Sequence, residues 1–185
     1  MSKLAAVEDL EALRTSLEEA RGSAGTTITV CGGTGCQASR CKDVIEALEQ
    51  ELLKEGLTDS VRLRVTGCHG FCEQGPIMIV ASENIFYCHV TPDDVGEIVS
   101  ETVCGGKVIE RLLYTDPVSG EKVRAQSAIP FYRLQERRLL AMNPKLDPRS
   151  IEDYIAAGGY SALSHALRDS RPEQVIDEIA RSGPR

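Results

Sequence analysis

No segment of this 185-residue sequence stays apolar for the length a membrane span requires, and its first ten residues, Met1 to Leu10, lack the uninterrupted apolar run of a secretory signal. The chain is therefore expected in the cytoplasm, without a direct membrane span. It has no low-complexity tract, so disorder is not its organising feature. Positive charge is scarce: 21 Lys and Arg stand against 28 Asp and Glu, a formal net charge of -7. Nucleic-acid binding draws its affinity from clustered cations, so a polyanionic partner is excluded and proteins or small molecules are expected instead. Also missing are a Gly-x-Ser-x-Gly elbow, a Gly-x-x-x-x-Gly-Lys-Ser/Thr loop and a Gly-x-Gly-x-x-Gly after a strand, which leaves no nucleophile elbow and no nucleotide site in this chain.

What the chain does have is cysteine. It carries seven, none after Cys104, and four of them lie in two short glycine-rich clusters, Cys31-Gly-Gly-Thr-Gly-Cys36 and Cys68-His-Gly-Phe-Cys72. Without an export signal these read as reduced thiols or metal ligands, because cytosolic redox buffers disfavour structural disulfides. Each cluster directly follows a β-branched run, Thr26 to Val30 for the first and Val61 to Val65 for the second, so each belongs on a loop leaving a strand. Between the two, Cys41, Val44, Ile45, Leu48 and Leu52 recur at helical spacing over 41–54, with Gly56 as a stop. Strand, helix, strand is a crossover connection. It makes the two strands parallel and brings the ends bearing Cys31 and Cys68 to one edge of the sheet if the strands are neighbours.

The remaining pattern completes one core with added pieces, as a hydrophobic fraction of 42% and a charged fraction of 26% in a chain of this length suggest. Leu10, Leu13 and Leu17 predict a helix over 4–21, expected to pack on the main domain. Ile77 to Val80, a turn at 82–84 and Ile85 to Val90 form a predicted hairpin, and Thr91-Pro92 opens a helix with Val95, Ile98, Val99 and Thr102 on one face, closed by Gly105-Gly106. The order β-α-β-β-β-α is that of an α/β, thioredoxin-like fold. A short strand is expected within 107–114, a turn at 116–120, and helices over 131–142, 149–157, 160–167 and 172–180. The expected organisation is an N-terminal helix over 1–25, a thioredoxin-like domain over 26–114, and a mostly helical linker and docking extension over 115–185.

Four converging thiolates suit two chemistries. A [2Fe-2S] cluster takes two ligands per iron, and nearby backbone N–H groups that donate to its sulfurs stabilise the more negative reduced state. Gly32, Gly33, Gly35, Gly67 and Gly70 let the backbone come that close, with Gly33 or Gly35 a candidate for positive φ. Zinc accepts the same four thiolates, usually from tighter knuckles, and as a structural adaptor module is the alternative. Cys41 reads as a small buried hydrophobe and as the nearest rival ligand; Cys88, alternating with Phe86 and Val90, reads as core; Cys104 is assigned no chemistry. His69 is assigned a supporting or surface place rather than a Rieske-type one, since only His89 and His165 remain elsewhere. Pro76, before a strand on the cluster side, is a candidate cis proline.

The pattern Cys31-x4-Cys36 followed by Thr66-Gly67-Cys68-His69-Gly70-Phe71-Cys72-x2-Gly75-Pro76 resembles the thioredoxin-like [2Fe-2S] domain of the small electron-transfer subunit of NADH dehydrogenases. It is closer still to the N-terminal domain of the flavoprotein subunits of NAD-dependent and electron-bifurcating hydrogenases and formate dehydrogenases. The resemblance implies that Cys31, Cys36, Cys68 and Cys72 hold a [2Fe-2S] cluster. Ile129-Pro130-Phe131-Tyr132, Arg137, and Leu146-Asp147-Pro148 through Leu163 are similar to the segment that joins this domain to the flavin- and NADH-binding body, and Val175 to Gly183 is similar to the helix that introduces the flavin phosphate loop. It therefore implies an electron relay in a multisubunit NAD(P)H-dependent oxidoreductase, with FMN and NAD(P) on a partner or on a C-terminal body outside these residues. The expected partners are a flavin- and NAD-binding subunit and other iron-sulfur subunits. By this reading the chain is either the front part of a longer flavoprotein or a stand-alone subunit that keeps the docking segment.

Overall fold

The computed structural model describes residues 4–23 and 25–183, which divide into two compact units. The larger, within 24–149, is built on a four-stranded sheet of order β2-β1-β3-β4, with β1 Thr26–Cys31, β2 Val61–Thr66, β3 Met78–Val80 and β4 Ile85–Tyr87. β1 and β2 pair in parallel and every other pair is antiparallel, as the crossover requires. Cys31 lies opposite Thr66, so both strands end at the same level and deliver their cysteine loops side by side.

The crossover passes through a short α2 (Thr34–Ala38) and then α3 (Cys41–Lys54). α3 buries Cys41, Val44, Leu48 and Leu52, the face its spacing predicts. It stops in a Schellman arrangement: Gly56 at φ +68 lets its own N–H reach Leu53 C=O (3.2 Å) while Leu57 N–H reaches Leu52 C=O (2.9 Å). After β4 a turn of 3₁₀ helix, Pro92–Asp94, leads into α4 (Val95–Glu97) and a wider π-helical stretch, Ile98–Cys104. The start is held by a capping box, with Thr91 N–H and Oγ1–H both donating to Asp94 Oδ2 at 2.8 and 2.6 Å.

The two faces of the sheet carry separate cores. Ile28, Val30, Ile85 and Tyr87 meet Val44, Leu48, Ile98 and Val99 on the helical face. The opposite face gathers Cys31, Phe86, Cys88, Tyr114, Ile129 and Tyr132. Phe86 and Cys88 share that face as expected, whereas Val90 joins the helical core. The strand ends at Tyr87 and His89 takes φ +52, which breaks the alternation.

The second face is covered by residues expected to form an extension. β5 (Tyr114–Thr115) and β6 (Lys122–Val123) make a small hairpin, and Phe86 N–H donates to Arg124 C=O at 2.8 Å. The strand expected within 107–114 is instead a 3₁₀ turn, Glu110–Leu112, running into β5. The helix expected over 131–142 is only α5, Pro130–Arg133. Its apolar spacing finds no surface to cover, with Leu134 79% and Leu139 97% exposed, while Arg137 and Asn143 use their polar groups on the second cysteine loop.

The other unit joins both ends of the described chain. α1 (Val7–Ser23) packs with α6 (Ile151–Ala156) and α7 (Ser161–Asp169), followed by α8 (Pro172–Ser182). Leu10 is buried there with Ile155 and Ala156. Arg14 donates to the C=O groups of Ile155 (3.1 Å) and Gly159 (2.9 Å) where α6 ends, and Arg21 pairs with Asp153 at 2.6 Å. The N-terminal helix thus spends its apolar face on helices from the far end of the chain, and 115–149 fall in the unit that holds the sheet. Among the described residues no helix is long and apolar enough to cross a membrane.

Candidate metal centre

The two cysteine loops are fastened to each other before any metal is considered. Cys31 N–H donates to Ile77 C=O (3.0 Å) and Gly32 N–H to Thr66 C=O (2.8 Å), which seats the first loop between β2 and the residue before β3. Cys31 closes β1 and Cys36 lies in α2, both buried to 1% exposure; Cys68 is half-buried and Cys72, in a 3₁₀ turn, is exposed. Cys31 Sγ lies 3.7 Å from Gly67 O, and Cys68 Sγ lies 3.7 Å from Cys72 Sγ. All four sequence-predicted residues thus come to one edge of the sheet, as an inner pair and an outer pair. Gly75-Pro76, directly after the second loop, is a cis peptide.

The sulfurs are electrostatically prepared. A hydrogen bond from the Cys36 thiol, outweighing burial and joined by backbone N–H groups of His69 and Gly33 and by Cys68, brings the Cys31 thiol down to about 6. Cys36 correspondingly keeps its proton, raised by its hydrogen bond to Cys31 and then by burial. Cys72 is likewise raised by its hydrogen bond to Cys68. The thiolate form is thus favoured at Cys31 and disfavoured at Cys36 and Cys72. Gly70 N–H donates to Cys68 Sγ at 3.2 Å, an N–H to sulfur contact of the kind that favours added negative charge on a cluster.

The cradle fits a [2Fe-2S] group. A Cβ built on Gly33 would lie 2.8 Å from Cys68 Cβ, one on Gly35 2.8 Å from Cys72 Cβ, and one on Gly75 2.7 Å from Cys36 Sγ. Side chains there would occupy the space in which the thiols face one another. Gly33 and Gly35 are needed for this close approach and not for positive φ: Gly33 has φ -63, and the positive value, +81, falls at Gly70.

The other cysteines divide as their spacing suggests. Cys41 is fully buried at the start of α3 and is raised by burial and by the charge on Cys31; Cys88 is pushed up to about 12 by burial alone; Cys104 is exposed. His69 is not at the surface. It is 0% exposed, with Nε2 2.7 Å from Thr66 Oγ1 and Nδ1 left without a partner, and burial followed by the charge of Arg137 lowers it to about 4. Sequence reasoning did not assign roles to the groups that hold the second loop from outside. Phe71 stacks on Phe131 (centroids 4.2 Å, planes 7° apart), Gly67 N–H donates to Asn143 C=O at 3.0 Å, and Arg137 Nη2 donates to His69 C=O. The aromatic pair Phe131-Tyr132 beside Arg137 was the available signal.

The family described as thioredoxin-like [2Fe-2S] ferredoxin matches residues 18–103. A protein of Clostridium pasteurianum named "Ferredoxin, 2Fe-2S" is 39% identical over 77 residues, covering 42% of this chain and 76% of that protein. One of the same name from Aquifex aeolicus is 30% identical over 79 residues, 42% of this chain and 71% of its own length. The crystal structure of the wild-type thioredoxin-like [2Fe-2S] ferredoxin from Aquifex aeolicus is 26% identical and covers 51% of this chain and all of that one, with a TM-score of 0.45.

Proposed function

This chain belongs to the thioredoxin-like [2Fe-2S] ferredoxin family, and we propose that it is a one-electron carrier whose cluster is held by Cys31, Cys36, Cys68 and Cys72. The observation that carries the reading is the Cys31–Thr66 register, which presents both cysteine loops at one sheet edge with Gly33, Gly35 and Gly75 leaving space between their thiols. When bound, a [2Fe-2S] cluster supplies reversible one-electron transfer. The protein's part is to bind, to bury and to bias. Cys31 and Cys36 anchor the inner side away from water, and the N–H of Gly70 donates to Cys68 Sγ. Cys68 and Cys72 reach toward solvent and form the side through which an electron enters and leaves.

The wider setting we infer is a cytoplasmic, multisubunit NAD(P)H-dependent oxidoreductase, in which this chain exchanges electrons with a flavin or cluster on a partner. FMN and NAD(P) belong to that partner or to a body outside these residues. Support comes from the resemblance at Ile129 to Tyr132, Arg137 and Leu146 to Leu163 and from the exposed apolar side chains of α7 and α8, Leu163, Leu167, Ile176 and Ile179, which suit a chain that docks. The test is visible absorption and EPR after dithionite reduction of the purified protein, with metal analysis. A brown protein with two irons and a reduced-state signal is expected; a colourless one with a single zinc would defeat the electron-carrier reading. Isolation of the native complex should bring a flavin- and NAD-binding subunit with it, and a complex without either would sink the wider setting.

A further inference from the structure

The second cysteine loop is strapped down by residues that lie beyond the family-matched stretch 18–103. Arg137 is the strap residue nearest the chemistry. Its Nη2 donates to the C=O of His69, at one end of the peptide unit that joins His69 to Gly70. The other end of that same peptide, Gly70 N–H, donates to Cys68 Sγ at 3.2 Å. The orientation depends on Gly70 standing at φ +81, and a Cβ there would lie 2.7 Å from Arg137 Nη2. The guanidinium is half-buried and sits over the Tyr132 ring, 5.4 Å from its centroid, so its direction is set by packing.

We propose that Arg137 is a positioning residue that raises the reduction potential of the cluster by gripping and polarising the His69–Gly70 peptide toward Cys68 Sγ. The proposal rests on the reading of Cys68 as a cluster ligand. A cationic donor on the carbonyl draws electron density to oxygen and leaves the N–H at the far end a stronger donor. A stronger N–H to sulfur bond favours the state with more negative charge on sulfur, which is the reduced one. Lysine would keep the charge without the planar fork that fixes its direction. Three more contacts tie the loop to the strap at two points, Gly67 through Asn143 and Phe71 through Phe131 and Tyr132, so losing the Arg137 contact alone leaves the loop in place.

The experiment compares the full-length wild type with R137K, R137Q and R137M, each assayed for iron per chain and then titrated with dithionite under EPR. R137Q and R137M are expected to keep their iron and to show, at the wild-type midpoint, a reduced-to-oxidised ratio about tenfold lower, equivalent to a midpoint 59 mV more negative for one electron. R137K should fall between them and the wild type. Four equal midpoints at full iron content would overturn the proposal. If R137M alone loses its cluster, the order Arg above Lys above Gln still decides it; loss from all three variants makes Arg137 a requirement for folding the loop and overturns the tuning role. A wild type that assembles no [2Fe-2S] cluster is a distinct failure, of the ligand reading itself.

Discussion

Replacing Gly35 with alanine sets two effects of opposite sign against each other. Gly35 is inside α2, and alanine in place of glycine within a helix ordinarily stabilises by up to ~1 kcal/mol. Its Cβ, however, would stand 2.8 Å from Cys72 Cβ and 2.9 Å from Cys72 Sγ, whereas carbon atoms settle at ~3.5 Å or more. Cys72 has to give way by roughly 0.7 Å, and forced overpacking of this kind costs ~1–3 kcal/mol. The clash therefore exceeds the helix gain by up to ~2 kcal/mol, or up to about thirtyfold in cluster retention. Because Cys72 is exposed, the loop can yield and the fold should survive. Gly96 in α4 supplies the control: nothing lies closer to its built Cβ than Glu51 Oε1 at 4.0 Å, so Gly96→Ala takes the helix gain without a clash. The assay is iron per chain after a chelator challenge, beside far-UV circular dichroism and the thermal midpoint. Gly35→Ala should keep its helical signal and shed iron faster than the wild type, with Gly96→Ala retaining it. A Gly35→Ala protein that holds iron as the wild type does and gains stability like Gly96→Ala would refute the cradle argument.

Two further predictions test the ligand set and the frame. Cys36→Ser or Cys72→Ser should lose or distort the cluster spectrum, while Cys41→Ala, Cys88→Ala and Cys104→Ala keep it; a Cys41→Ala protein without a cluster signal would break the assignment. Asp94 is buried, which raises its carboxyl, but hydrogen bonds from Thr91 and then Arg111 outweigh this and hold it below the ordinary value of 3.8. A carboxylate depressed in the folded state binds fewer protons there than in the unfolded chain, so its contribution is present above 3.8 and fades as pH falls through the folded value. Asp94→Ala should cost ~1–2 kcal/mol at pH 7 by denaturant titration, with the gap to the wild type narrowing in acid below 3.8. A gap that stays constant down to pH 2 would count against this role.

Much of the site was legible because it depends on short-range rules. A β-branched run before each cluster, a helical repeat between them and the handedness of a crossover were enough to bring four cysteines to one edge, and the spacing of Cys41 with Val44, Leu48 and Leu52 placed it in the core. The same rules misread 131–142. Helical spacing of Leu134 and Leu139 exists, yet both side chains face solvent, and the backbone there follows the hydrogen bonds of Arg137 and Asn143 to the cysteine loop. Likewise nothing local in Leu10, Leu13 and Leu17 says that their partner is α6, about 140 residues away.

By itself, then, the sequence determined which cysteines share one sheet edge, Cys31, Cys36, Cys68 and Cys72, with the glycines between them and the strands and helix that carry them. Those are properties of residues within a few positions of one another. Only the tertiary structure decided that contacts lower the Cys31 thiol and raise that of Cys36, that His69 is buried, and which group grips the peptide behind Cys68. Each of those depends on a contact across the fold, the Arg137 bond to His69 spanning 68 residues of chain, and hydrogen bonding and burial act through space without regard to that separation.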